Sequence, residues 1–263
     1  MPELGAQIAR GRTAEVYAWD DGWVIKLFHP WVSYEAVSCE ANLARIAHAA
    51  GLPTPAVGEL FKINDRVGLA MERVRGASML QAIKGQPWKT RVYARMLAEL
   101  HVEMHTRSVT EMPSQRERLI SKIRHAKPLP EELRPLLLDA LDRLPDGNKL
   151  CHGDFHPDNI MLTEKGPVII DWIDASVGSP AADVARSVIL MSGGALPPGS
   201  ALSWLLQAFR GMYHRAYLRH YFHLRPELEA ELNGWIPVVA AARLSEGITE
   251  DEPRLLNLAR GIL

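Results

Sequence analysis

Cys151-His152-Gly153-Asp154-Phe155-His156-Pro157-Asp158-Asn159-Ile160 lies just past the middle of a 263-residue chain. It sets an Asp and, five residues later, an Asn on one irregular loop that runs into an apolar segment. Phosphoryl transfer asks little covalent chemistry of a protein. It needs an acceptor hydroxyl held in line, a carboxylate to receive its proton, and cations to neutralise phosphate charge. Asp154 suits the carboxylate role, and the amide oxygen of Asn159 suits a magnesium ligand. A polar turn between a helix and a hairpin would look the same in isolation, so the reading depends on what surrounds it.

Downstream, Val168-Ile169-Ile170-Asp171-Trp172-Ile173-Asp174 is an apolar strand that ends in an Asp, one short hairpin after the loop. Alone it is an ordinary turn residue. Paired with Asn159, Asp171 completes the oxygen set that magnesium takes alongside phosphate oxygens and water. Upstream, Lys26 lies in Trp23-Val24-Ile25-Lys26-Leu27-Phe28, where alternation turns it to one face and its neighbours to the other. An edge-strand Lys that blocks aggregation is the competing reading. As a phosphate-binding Lys it needs a helix carboxylate. Glu40 is the expected partner, because it is mid-helix among apolar residues where an unpaired charge is costly. Glu35 near the helix start is explained by the helix dipole. Gly11-Arg12-Thr13-Ala14 falls between the first two strands, where backbone N–H groups could meet phosphate oxygens. Met71, Glu72 and Val74 fall where a connecting segment could hold a nucleotide base.

The hydrophobic pattern places these motifs. Residues 4–9, 16–19, 23–28, 61–63 and 67–71 read as strands, with 33–50 as the helix among them. From residue 78 the pattern turns helical, over 78–83, 93–105, 114–125 and 131–144. A hairpin over 160–162 and 168–170 follows, and residues 182–263 are helical apart from a 193–199 loop. The expectation is an α+β chain of two lobes. Residues 1–75 form a small β-rich nucleotide-binding lobe with one helix, and 76–263 form a larger, mainly helical lobe for catalysis and substrate.

Formal net charge is −1, from 30 Lys and Arg against 31 Asp and Glu. That balance argues against a nucleic-acid partner. No apolar run is long enough for a membrane span. The first residues do not form a signal peptide, and two cysteines outside any C-x-x-C pair fit a reducing cytoplasm. His101 and His105 flank a Glu at the wrong place for a zinc H-E-x-x-H site, and Cys151 reads as a buried thiol. Nothing indicates an oligomeric state.

Together these residues resemble the aminoglycoside phosphotransferase and choline kinase-like family, whose members have a protein-kinase-like two-lobed fold. The resemblance spans about residues 4–187 and is anchored by 151–161 and 169–185. Gly178-Ser179-Pro180-Ala181-Ala182-Asp183-Val184-Ala185 looks like the family's G-x-P-x-x-D-L-A segment, in which Asp183 would brace the catalytic loop. Glu40 stands where the family's helix Glu stands. The resemblance implies a small-molecule kinase using ATP, with GTP left open, and Mg2+. It assigns Asp154 as base, Asn159 and Asp171 as metal ligands, and Lys26 with Glu40 to the phosphates. Protein kinases carry Lys where this chain has His156, which points to a small-molecule acceptor. The ending Ala259-Arg260-Gly261-Ile262-Leu263 lacks the acidic-aromatic terminus of some aminoglycoside kinases, so the resemblance does not imply an antibiotic substrate.

His156 and Asp174, beside the two motifs, are candidates for acceptor contacts. The segment over 190–250 adds Trp204, Tyr213, His214, Tyr217, Trp235, Arg243 and Glu246. Aromatic faces can hold a sugar ring or an organic cation, and a carboxylate can hold an amine. Trp235 and Glu246 are the expected contacts, although Arg243 and Glu246 are close enough in a helix to pair with each other. Two other readings stand beside the kinase. A protein kinase would need more chain between Asp171 and Asp183 for an activation loop. A silent nucleotide-binding protein would not need Lys26, Asp154, Asn159 and Asp171 together.

Overall fold

The computed structural model describes residues 4–193 and 201–262, apart from the side chains of 201–206. Strands β1 (Gln7–Arg10), β2 (Ala14–Ala18) and β3 (Trp23–Phe28) precede helix α1 (Tyr34–Ala49). Strands β4 (Val57–Ile63), β5 (Arg66–Glu72) and β6 (Ala77–Ser78) follow. Next come α2 (Met79–Gly85), α3 (Thr90–Met104), α4 (Gln115–His125), α5 (Leu133–Arg143) and β7 (Lys149–Cys151). The hairpin β8 (Ile160–Thr163) and β9 (Gly166–Ile169) leads to β10 (Ser176–Gly178) and α6 (Pro180–Ser192). Helices α7 (Ala201–Leu224), α8 (Leu232–Arg243) and α9 (Glu252–Ala259) complete the order. Among the described residues, no helix is long and apolar enough to cross a membrane.

The chain forms two compact units, residues 1–81 with 158–173, and residues 82–157 with 174–263. The sequence placed the boundary near residue 75. Pairing of Ala77 with Leu162 and of Ser78 with Met161 extends the first unit past that point and draws the β8–β9 hairpin into it. The short strands β6, β7 and β10 have too few residues to show a period.

The first unit holds an antiparallel sheet of order β1-β2-β3-β5-β4 and a second sheet of order β6-β8-β9. The two-residue period of β3 decides its use. Ile25 and Leu27 pack with Ile63 and Ala70 on one face. Phe28 packs with Val37 and Ala41 of α1 on the other, the face that Lys26 shares by alternation. Ser33 starts α1 by accepting from the Ala36 N–H at 3.2 Å. The helix then buries Val37, Glu40, Ala41, Leu43, Ala44 and Ala47.

The second unit is helical around the two-stranded β7–β10 pair. Helix α6 is buried on every side from Pro180 to Ile189, which places Asp183 in the interior. It packs against α7 and α8, and α7 packs along α3. Tyr213, Tyr217, Tyr221 and Phe222 of α7 are buried in this packing.

Candidate active site

In the first unit, Lys26 Nζ lies 2.5 Å from Glu40 Oε1 and 3.8 Å from Asp171 Oδ1. Burial disfavours the Lys26 charge, but Glu40 and Asp171 outweigh it and raise the amine above its ordinary value. Burial also pushes the Glu40 carboxyl up, against the pull of Lys26. If the pair acts as one unit, Lys26→Ala weakens nucleotide use, and adding Glu40→Ala costs less than the separate losses predict. Nucleotide affinities across the four combinations should give a coupling of about 1 kcal/mol or more. Additive losses would mean that the two side chains act separately.

Asp171 and Asn159 are brought together by the hairpin. Ile160 faces Ile169 in the ladder, and the Ile170 N–H donates to the Asn159 carbonyl at 3.0 Å. Asp171 has φ of 67°, a left-handed conformation that Asp adopts more readily than most residues. The next residue is fixed: Trp172 is buried and its Nε1 donates to Thr54 Oγ1 at 2.9 Å. Asp171 keeps 41% of its side chain exposed, so its carboxylate is open to a ligand.

The other nucleotide candidates fall elsewhere in this unit. Gly11–Ala14 is a tight turn in which the Gly11 N–H donates to the Ala14 carbonyl at 2.8 Å. Arg12 is exposed within that turn. Met71 is a ladder residue opposite Val24 and Val57. Glu72 and Val74 line a groove of about 900 Å³ with residues 52–55 and 162–165, and Lys26 is not part of its wall. The Glu72 carboxylate there accepts from the Ala56 N–H at 3.1 Å.

In the second unit, Gly153 carries φ of 76°, and a Cβ on it would stand 2.4 Å from the Asp174 carbonyl oxygen. Only glycine fits that turn. The turn presents Asp154, whose Oδ2 is 3.4 Å from His156 Nε2 and whose Oδ1 is 3.9 Å from Arg186 Nη2. Burial opposes ionisation of Asp154. The hydrogen bond and charge of His156, with Arg186, outweigh it and hold the carboxyl well below its ordinary range. Cys151, just before the loop, is fully buried, and burial raises its thiol far from reactive values.

Behind this loop is a buried brace. Asp183 accepts the His152 and Gly153 N–H groups, each at 2.8 Å. His101 Nε2 and His105 Nε2 approach the same carboxylate at 3.1 and 3.3 Å. Their Nδ1 atoms meet the Tyr217 and Tyr221 hydroxyls at 2.6 and 2.7 Å. An acceptor at one nitrogen and a hydroxyl at the other fit neutral rings with the proton on Nε2. The sequence signal was present, since both His recur at helical spacing. The Glu between them is at the wrong place for a zinc H-E-x-x-H site. The same three side chains could surround an ion, but hydrogen bonds already account for them.

The brace predicts acid sensitivity. Burial, then the neighbouring His105, pushes His101 down to about 3 from an ordinary 6.5. As pH falls through that window the unfolded chain binds a proton that the folded chain refuses, so stability falls with it. His101 alone should cost about 2 kcal/mol by pH 5. Urea unfolding at pH 7 and pH 5 measures the loss, and His101→Gln should flatten the slope. An unchanged slope in that variant would place the acid sensitivity elsewhere.

On the acceptor side, Lys122 Nζ contacts Asp174 Oδ1 at 3.2 Å. Glu246 is already engaged, with Arg186 at 2.7 Å, Arg243 at 3.1 Å and Lys122 at 3.8 Å. An acceptor amine would compete with these three cations, so the carboxylate is less available than the sequence suggested. The Trp235 expectation is corrected. The residue is 1% exposed and packed in the helical core, so its ring offers no face to a ligand. The Trp204 side chain and most of the 193–199 loop lie outside the described residues. A small cavity of about 50 Å³ adjoins the Gly153 turn, walled by Arg118, Lys122, Asp174, Arg186 and Arg243. Arg186 was missed by sequence reading. It donates from Nε to the Gly153 carbonyl at 2.9 Å, a role that no local pattern announces.

Residues 5–230 match the model of a phosphotransferase enzyme family, labelled APH. None of the curated proteins matches. Among solved structures, a thermostable mutant of aminoglycoside phosphotransferase APH(4)-Ia is 16% identical with a TM-score of 0.66, over 99% of this chain and 93% of that one. An amicoumacin kinase, solved in complex with AMP-PNP, Ca2+ and Ami, is 15% identical with a TM-score of 0.60, over 100% of this chain and 87% of that one. An aminoglycoside-3'-phosphotransferase of type VIII is 20% identical with a TM-score of 0.62, over 93% of each chain. These likenesses concern the fold.

Proposed function

The chain belongs to the phosphotransferase enzyme family, and from that premise we propose that it moves the γ-phosphoryl group of ATP to a hydroxyl of a small molecule, with Asp154 as base. The observation that carries the reading is Lys26 in contact with both Glu40 and Asp171. A Lys held by a helix carboxylate and a strand-end carboxylate is suited to phosphate oxygens and has no evident use in a merely structural sheet.

Asp171 and Asn159 offer a carboxylate and an amide oxygen, the hard oxygen donors that suit Mg2+. When bound there, Mg2+ would neutralise charge on the phosphates. Lys26 binds the phosphate oxygens as a cation, and Glu40 fixes where its ammonium stands. Asp154, five residues before Asn159 in the chain, orients the acceptor hydroxyl and receives its proton. A carboxylate with so low a pKa is a weak base. It suits a loose transition state, in which the hydroxyl proton leaves late and orientation matters more than basicity. His156 and Arg186 keep Asp154 ionised, and Asp183 holds the turn that carries it.

The acceptor class is an aminoglycoside-like, amino-alcohol or sugar-like molecule, and the setting is the cytoplasm. ADP release should be screened over aminoglycosides, macrolides, choline, thiamine, ketosamines and sugars, with ATP and GTP as donors. Release should rise with at least one of them and should require Mg2+. Phosphorylation of peptides in place of every small molecule would overturn the reading.

A further inference from the structure

Helices α3 and α7 of the second unit enclose a groove of about 530 Å³ on their outer side. Its wall carries Arg91 and Arg95 from α3 and Arg215 and Arg219 from α7, with His220 and His223 beside them. All four arginines are exposed. Each pair is spaced by four residues, so it projects from one helical face as two successive rungs.

Several arginines elsewhere in the unit are tied to carboxylates. Arg186 and Arg243 hold Glu246, and Arg254 holds Asp251. Arg107, Arg134 and Arg225 also meet carboxylates. Among the described residues, Arg91, Arg95, Arg215 and Arg219 have no ion pair. Among the described residues, Glu99 is the one acid in ion-pair contact with the wall, through His220 at 3.0 Å. The chain as a whole carries a net charge of −1, so four clustered cations are not a by-product of a basic protein. Four guanidinium groups facing one space repel each other unless an anion joins them.

We propose that the α3–α7 groove is a binding site for a ligand that bears two or more phosphate groups. The guanidinium fork matches phosphate oxygens two at a time, and two rungs of two arginines match two phosphates better than one. The volume is that of a small-molecule site. Such a ligand could be a soluble polyphosphorylated compound or the headgroup of a lipid. Its wall includes no residue of the Asp154 loop, and the site does not depend on which acceptor is phosphorylated.

The test is calorimetry on the full chain, with the nucleotide site first saturated by AMP-PNP and Mg2+ so that phosphate binding at Lys26 does not contribute. Tripolyphosphate is the soluble probe, and orthophosphate is its control. Flotation with phosphatidylcholine vesicles, with and without cardiolipin, is the lipid arm. Tripolyphosphate or cardiolipin vesicles should bind, orthophosphate should bind at least about tenfold more weakly, and Arg91→Gln with Arg219→Gln should weaken binding about tenfold or more. Arg95→Gln with Arg215→Gln should do the same, and thermal melting confirms that both variants fold. Binding of the soluble probe alone assigns a free phosphate compound, and binding of cardiolipin vesicles alone assigns a headgroup. The proposal is overturned if neither binds, or if binding survives both pairs of substitutions.

Discussion

Asp154→Asn is expected to lower turnover by ~10² or more while nucleotide affinity stays within about twofold of wild type. The change keeps the size of the side chain and removes its capacity to take a proton. The turn that carries it is set by Gly153 and by the two N–H groups that Asp183 accepts, so the backbone has no reason to move. What changes is the partner of His156 and Arg186, which lose a charge 3.4 and 3.9 Å away. Steady-state turnover together with calorimetric nucleotide titration separates the two quantities. Near-normal turnover in a folded variant would remove Asp154 from the mechanism.

The second large effect falls on nucleotide binding. Asp171→Ala should abolish the magnesium-dependent part of ATP affinity, because Asp171 is the only carboxylate in the proposed metal set. The Lys26–Glu40 pair at 2.5 Å remains, so a weaker, metal-independent affinity for nucleotide should persist. The same substitution leaves a residue with a Cβ at a φ of 67°, which Ala adopts less readily than Asp, and the buried Trp172 beside it keeps the strand end in place. Titration of ATP with and without Mg2+ reads the effect. If the variant binds ATP with Mg2+ as tightly as wild type, the metal assignment is wrong.

The two lobes were legible because each advertises itself by a period. Alternation in β3 and the helical stripe of α1 show which side of each faces inward. The juxtaposition of Lys26 with Glu40 follows from asking what a mid-helix carboxylate among apolar residues could pair with. The boundary was harder, because a two-residue strand such as β6 leaves no pattern, yet its pairing with β8 decides where the first unit ends. The brace behind the loop was half legible. Asp183 stood out through a family resemblance, whereas His101, His105, Tyr217 and Tyr221 each look like ordinary helix residues. Their joint role appears only when α3, α6 and α7 are packed together. Acceptor residues were the least legible. Trp235 and Glu246 suit an acceptor by their chemistry alone, and burial of one and the ion pairs of the other depend on tertiary neighbours that no local pattern encodes.

The most direct measurement follows the γ-phosphate of labelled ATP under single-turnover conditions, with the best acceptor from the ADP-release screen. The account predicts that label moves to an acceptor hydroxyl in the wild-type protein, and that Asp154→Asn binds the labelled nucleotide yet transfers almost none of it. Transfer at the wild-type rate by Asp154→Asn, or label found on water or protein instead of the acceptor, would contradict it.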